Sequence, residues 1–395
     1  MAIGVRSGIL WVGEEMRIAG VGERARLSVA RPDGAATAQT ELRNTDHQID
    51  DEVAGPGAGP VGFGAFPFDR ELPGELVLPR IVVGQMGERR WLTIDVDQID
   101  LSAAVGEVAA ISAAPVAACP VGERTVESVL SAETWRDDVV GETVRRIKQG
   151  NFSKAVMARE FRVHAAQTID TTVVLDRLLE RFPTANIFAV DGFLGATPEL
   201  LVGRLGRTVR AHPLAGTAPH ADDPKVDAAL VSELLASTKN QHEHRITIDW
   251  LLNNLLPFCS FVDAEPEPGI MSLANVHHLA TRVEGQLSQP AASILDLVAA
   301  LHPTPAVGGD PQAVALQVIA ELEGADRGRY AGPVGWVDAQ GNGEFGVAIR
   351  SAQVEGSVAT MFAGVGVVAA SDPASELAET EAKAQALLWA LGVNE

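Results

Sequence analysis

Residues 131–163, SAETWRDDVVGETVRRIKQGNFSKAVMAREFRV, hold the change of texture on which the fold reading rests. Trp135, Val140, Val144 and Ile147 recur at helical spacing, and the run stops at Gly150, a residue suited to the left-handed position after a helix. From Phe152 to Val163 the period falls to two through Ala155, Met157, Arg159 and Phe161, which predicts a strand with Lys154 near its start. A helix therefore hands over to a strand here.

Upstream, residues 1–124 alternate β-prone runs with turn formers: ILWV at Ile9, VGFGAF at Val61, ELVLPRIVV at Glu75 and RRWLTIDV at Arg89. This part reads as sheet, interrupted by an acidic and then Gly/Pro-rich exposed loop from Arg43 to Pro60. Downstream, NIFAV at Asn186 and FLGATPELLVGRL from Phe193 read as strands. KVDAALVSELLAST from Lys225 and HEHRITIDWLLNNLLPF from His242 read as helices, the second opened by Glu243. GEFGVAIRSA and ATMFAGVGVV end the chain as strands, before a helix started by Ser371, Asp372 and Pro373. Strands and helices mix without a regular βαβ period, so the expectation is an α+β fold with antiparallel sheets, not a doubly wound one.

Composition narrows the function. The chain has 395 residues, 46% of them hydrophobic and 21% charged, enough for a large core and too apolar for a disordered chain. Its net charge of −21 repels phosphate backbones and argues against nucleic acid as a partner. Cys119 and Cys259 are the only cysteines, which offers neither a disulfide framework nor a zinc motif and fits a reducing cytoplasm. The N-terminal apolar run is broken by Glu14 and Glu15, so no signal peptide and no membrane span are expected.

Several residues could carry chemistry. Glu376, Glu379 and Lys383 lie three and four apart along one face of the last helix. Alone this is an ordinary solvated charged face, but the glycine-rich AGVGVVAASDP turn before it would set backbone N–H groups beside the carboxylates. Glu243 lies between His242 and His244, whose directions on a helix diverge, so no zinc motif is present; Glu243 meeting Glu379 would instead give an oxygen-rich site suited to Mg²⁺. Lys154, if buried, is a possible general base, and Glu199 among apolar neighbours a possible general acid.

Ten blocks in order resemble the chorismate-utilising enzymes: FSKAVMAR from Phe152, ATPELLV from Ala196, HPLAGTAP from His212, KNQHEHR from Lys239, HHLATRVEG from His277, LHPTPAVGG from Leu301, DRGRYAGPVGW from Asp326, NGEFGVAIRSA from Asn342, AGVGVV from Ala363 and ELAETEAK from Glu376. The resemblance covers residues 125–395, with GAFPFD at Gly64 a looser match in the N-terminal part. It implies the two-lobed α+β fold of anthranilate and aminodeoxychorismate synthases, with 1–124 a β-rich part of the same unit and 125–395 the chorismate-binding region. Anthranilate synthases carry Gln where Lys154 stands, and aminodeoxychorismate synthases a nucleophilic Lys where Ala215 stands. Lys154 with Ala215 resembles the branch that uses water, and LHPTPAVGG resembles its isochorismate synthases of the siderophore and menaquinone type; salicylate synthase, which adds pyruvate elimination, is the alternative.

The resemblance implies Lys154 as base and Glu199 as acid, with Mg²⁺ held by Glu243 and Glu379 and assisted by Glu376. It places Ala215, Gly216, Thr217, His278, Tyr330, Arg350, Gly364, Gly366 and Lys383 around the substrate, Arg350 and the N–H groups near Gly364 and Gly366 gripping a carboxylate. It implies a cytoplasmic monomer without a glutamine amidotransferase subunit. One departure stands out: relatives generally carry Asp or Glu at Asn240, three before Glu243, so one negative charge is missing beside the metal. That loss keeps open a different class, a chorismate-binding paralogue with little turnover, against which the retention of Lys154 and Glu199 argues.

Overall fold

The computed structural model describes residues 2–30, 34–45, 53–114, 122–273 and 276–393. Four strands frame the region of interest: β1 (Lys154–Ala165), β2 (Leu214–Pro219), β3 (Val276–Ala280) and β4 (Val358–Val368). Four helices pack around them: α1 (Pro224–Ala236), α2 (Thr238–Leu255), α3 (Gln312–Glu323) and α4 (Pro373–Ala390).

Among the described residues eighteen strands join in one sheet and three in a second, β2 and Gly269–Ser272 flanking β3, and every pairing there is antiparallel. The N-terminal strands are the hinge of the large sheet. Met16–Val29 pairs along its length with Gly74–Met86; Leu10–Val12 links this pair to Asn186–Val190, and Val61–Ala65 links it to Pro333–Asp338. One arm runs on through Phe193–Thr197 and Ser351–Glu355 to β4 and β1; the other runs through Gly343–Val347, Leu200–Leu205 and Thr208–His212 to Val283–Leu287. The α+β reading with antiparallel sheets is therefore the architecture found.

The run 131–150 is helical, but Trp135–Gly141 widens into a π-helix between Ala132–Thr134 and Glu142–Lys148. Trp135 and Val140 are five apart, a step too long for one α-turn, and the π segment lets both be buried with Val144 and Ile147. Gly150 then takes φ +81°.

The structure corrects the sequence reading in several places. Ala2–Ser7, Gly34–Asn44 and the alanine-rich Leu101–Ala113 are helices within the stretch read as sheet; the last is capped by Asp100, whose side chain accepts from Ala103 N at 2.9 Å. Of the supposed exposed loop at Arg43–Pro60, residues 46–52 lie outside the described residues, and Gly57–Gly59 are buried, Gly57 O accepting from Trp91 Nε1 at 2.9 Å. Cys119 also lies outside them. Helix α2 opens at Thr238 under a Ser237 cap, so Glu243 sits in its second turn. AGVGVV, read both as the end of a strand and as the start of a turn, belongs wholly to β4.

One buried ion pair fastens α3 to β1. Glu323 and Arg327 are 5% and 4% exposed, and a charge so placed needs every hydrogen bond satisfied. Arg327 Nε donates to Glu323 Oε2 at 2.8 Å, its Nη2 meets Glu323 Oε1 and also donates to Val156 O at 2.6 Å, and Ala158 N donates to Glu323 Oε1 at 2.6 Å. Removing one partner strands the other, so Arg327→Ala is expected to lower the unfolding free energy by roughly 3–5 kcal/mol, read as a shifted midpoint in urea denaturation.

Candidate active site

Twelve of the fourteen candidate residues line one cleft between the arms. Lys154 and Glu376 do not, but each is bonded to a residue that does: Lys154 Nζ lies 3.0 Å from Glu243 Oε1, and Glu376 Oε1 lies 3.0 Å from Lys239 Nζ. The third carboxylate, Glu379, pairs with Lys383 at 2.6 Å. Every acidic residue assigned to a metal is thus matched by a lysine here.

The β1–β4 register aims two amides at this space. Gly366 lies opposite Val156 and Gly364 opposite Ala158. Val156 N donates to Gly308 O and Ala158 N to Glu323, both away from β4, so these are the non-hydrogen-bonded pairs of the ladder. The N–H and C=O groups of Gly364 and Gly366 therefore point off the other edge of β4, where Lys383 Nζ reaches Gly364 O at 3.0 Å. At Gly366 a Cβ would overlap Glu243 Oε1 and push that carboxylate from its place beside Lys154. Gly216 is required for a different reason: it takes φ +81°, and a Cβ would sit 3.0 Å from that of Asn240.

Opposite them, Arg350 holds a left-handed backbone, φ +52°, rare for a residue with a side chain and typical of constrained sites. Its Nη2 donates to His278 Nε2 at 2.9 Å. Arginine can only donate, so His278 carries its proton on Nδ1, facing Thr217 Oγ1 at 3.1 Å and Gly216 O at 3.4 Å. Burial, reinforced by Arg350 and Lys383, pushes the His278 pKa well below its ordinary value and keeps the ring neutral. Arg350 Nε is buried with no partner, a donor aimed at nothing the chain supplies. Tyr330 is buried against Phe362, ring centroids 5.2 Å apart, and burial raises its phenol so that it stays neutral.

Glu199 is 2% exposed in the link between Phe193–Thr197 and Leu200–Leu205. Burial drives its carboxyl up to about 8 even against the pull of Lys154 and Arg350, so at neutral pH it holds a proton. Glu243 behaves oppositely. Burial opposes its charge too, but Lys154, Lys383 and Lys239 overcome that and hold it below the usual range. Glu376 is raised by burial and by repulsion from Glu379. Lys154, Lys239, Arg350 and Lys383 thus face three carboxylates and one carboxylic acid, a cleft slightly positive in a chain of net charge −21.

The sequence reading missed Lys239 and the apolar wall of Val156, Ala306, Val307 and Ile349. Lys239 was findable, since it stands four residues before Glu243 on one helix face; the wall had no such signal, because apolar residues in strands and loops look alike wherever they point. Asn240, noted only as a departure, also lines the cleft.

A fold of antiparallel arms around a slightly positive cleft of this composition has a match: a family model described as "Chorismate binding enzyme" covers residues 9–392, and the chain belongs to that family. Among its relatives, isochorismate synthase MenF of Bacillus subtilis is 37% identical over 85% of this chain and 75% of that protein, and isochorismate synthase DhbC of the same organism is 35% identical over 85% and 81%. The crystal structure of DhbC from Bacillus anthracis superposes with a TM-score of 0.85 at 32% identity, covering 99% of this chain and 97% of that one.

Because Glu199 is raised in the folded state, its protonation favours folding below the ordinary carboxyl range near 4.5, and that contribution is lost as pH rises through about 8. Glu199→Gln removes this dependence. Its stability relative to the parent chain is expected to grow between pH 5 and about 9, measured by urea denaturation across that range.

Proposed function

We propose that this chain is an isochorismate synthase, which adds water at C2 of chorismate with loss of the C4 hydroxyl. The single observation that carries the reading is the opposed state of two buried carboxyls in one cleft: Glu199 protonated, with its pKa raised to about 8, and Glu243 ionised beside Lys154. The reaction needs a proton given on one side of the ring and taken on the other. Glu199 gives its proton to the departing hydroxyl, which leaves as water. With Glu243 engaged elsewhere, the Lys154 ammonium gives its proton to solvent, and the neutral Nζ then takes a proton from the attacking water. Atoms balance, one water entering and one leaving.

The substrate is a dianion, and Arg350 with its unpartnered Nε, the off-edge amides of Gly364 and Gly366, and Lys383 supply donors for a carboxylate. Two extra negative charges would leave the cleft negative, which a divalent cation reverses. Glu243 and Glu379, with Glu376 at the rim, offer the oxygen donors that Mg²⁺ takes, and Gly366 leaves the space in which the Glu243 carboxylate sits. When bound, Mg²⁺ would neutralise the ring carboxylate. Asn240 at the same wall contributes no charge, so the reading carries a weaker cation site than an acidic residue would give.

It also carries a cytoplasmic monomer that works without an amidotransferase subunit, since water and not ammonia is the nucleophile.

The test is incubation of the purified protein with chorismate and Mg²⁺ and chromatographic separation of products. Isochorismate in equilibrium with chorismate is expected; salicylate at a catalytic rate would move the assignment to salicylate synthase, and saturable binding without product to a paralogue of low turnover. Lys154→Ala and Glu199→Gln are each expected to lower kcat by at least about 10²-fold while chorismate binding survives in calorimetry. In the parent enzyme kcat/KM should decline above pH 8, as Glu199 loses its proton.

A further inference from the structure

The β2–β3 ladder that presents Thr217 and His278 to the cleft has a second face. His277 and His278 are adjacent on β3, so their side chains point to opposite sides of the sheet. His277 faces α1, where its Nε2 lies 2.8 Å from Asp227 Oδ1 and its Nδ1 lies 2.8 Å from Ser272 Oγ on the neighbouring strand. His220, just beyond β2, stacks on His277 with ring centroids 5.0 Å apart, and its Nδ1 is 3.9 Å from the same Asp227 oxygen. Asp227 Oδ1 is further held by Ala221 N at 2.9 Å. One ligand atom from each of His220, Asp227 and His277 falls within 4.8 Å of the others.

A His–Asp hydrogen bond alone would be ordinary surface structure. Two observations go beyond it: a second imidazole converges on the same oxygen, and its contact with Asp227 is its only polar contact among the described residues. We propose that His220, Asp227 and His277 form a binding site for a borderline divalent ion such as Zn²⁺, which ties α1 and the 220–223 segment to β3. Two imidazoles and one carboxylate with a fourth position open suit zinc and are a poor set for Mg²⁺, which prefers oxygen. The supporting contacts are those a metal-binding imidazole needs: Ser272 Oγ can accept from Nδ1–H and leave the Nε2 lone pair for the ion. His277 is 2% exposed, whereas the His220 and Asp227 side chains are 34% and 22% exposed, so an ion can enter from solvent. The site lies on the opposite face of β3 from the cleft and uses none of its residues.

Equilibrium dialysis of the full chain against ZnCl₂ in excess Mg²⁺ tests this. One equivalent of Zn²⁺ is expected to bind, to be lost in His220→Ala, and to bind about 10–100-fold more weakly in Ser272→Ala. Replacing Zn²⁺ by Co²⁺ should give a visible ligand-field band, present in the parent chain and absent in His220→Ala; because His220 is partly exposed, this variant is expected to fold, which far-UV circular dichroism checks. No bound equivalent, or an equivalent that persists in His220→Ala and disappears in Glu379→Gln, overturns the proposal.

Discussion

The antiparallel ladder between β1 and β4 is the constraint on which the rest depends. It runs unbroken from Lys154 opposite Val368 to His164 opposite Val358. Because the side-chain period of a strand is two, a slip of one residue would turn every group to the wrong face. It would lift Lys154 out of its burial beside Glu243, swing the Gly364 and Gly366 amides back into the ladder, and drive a valine into the space that the Glu243 carboxylate occupies. The Glu323–Arg327 pair, which holds Val156 O and Ala158 N from α3, fixes that register from the far side.

Around this ladder the molecule solves an electrostatic problem. A chain of net charge −21 must receive an anion, and it does so by gathering Lys154, Lys239, Arg350 and Lys383 into one cleft while keeping Glu199 uncharged by burial. The carboxylates that remain ionised are each held by a lysine, so the site is folded and nearly balanced before any ligand arrives. On the proposed function, ligand binding would exchange partners, which costs less than exposing a bare buried charge.

Much of this was legible in residue order. The strand from Phe152, the helix started by Ser371, Asp372 and Pro373, and the two helices from Lys225 to Phe258 follow from periodicity and capping, which act within a few residues. The helices Gly34–Asn44 and Leu101–Ala113 were missed because they lie in a stretch dominated by β-prone runs. AGVGVV was read both as strand and as the start of a turn, because its glycines serve a neighbouring side chain rather than chain reversal and nothing local distinguishes the two; it is strand.

By itself the sequence determined the α+β character, the ten family blocks and, through them, the fourteen residues proposed for the site, twelve of which line one cleft, since these are matters of residue type and order. Only the tertiary structure decided their state: that Glu199 is protonated and Glu243 is not, that Lys154 is buried against a carboxylate, that Arg350 keeps one donor unused, and that His220, Asp227 and His277 meet behind the cleft. The physical reason is that charge state and convergence depend on distance and solvent exclusion between segments far apart in the chain. A spacing pattern specifies an element's shape, but carries no information about the field in which its side chains come to lie.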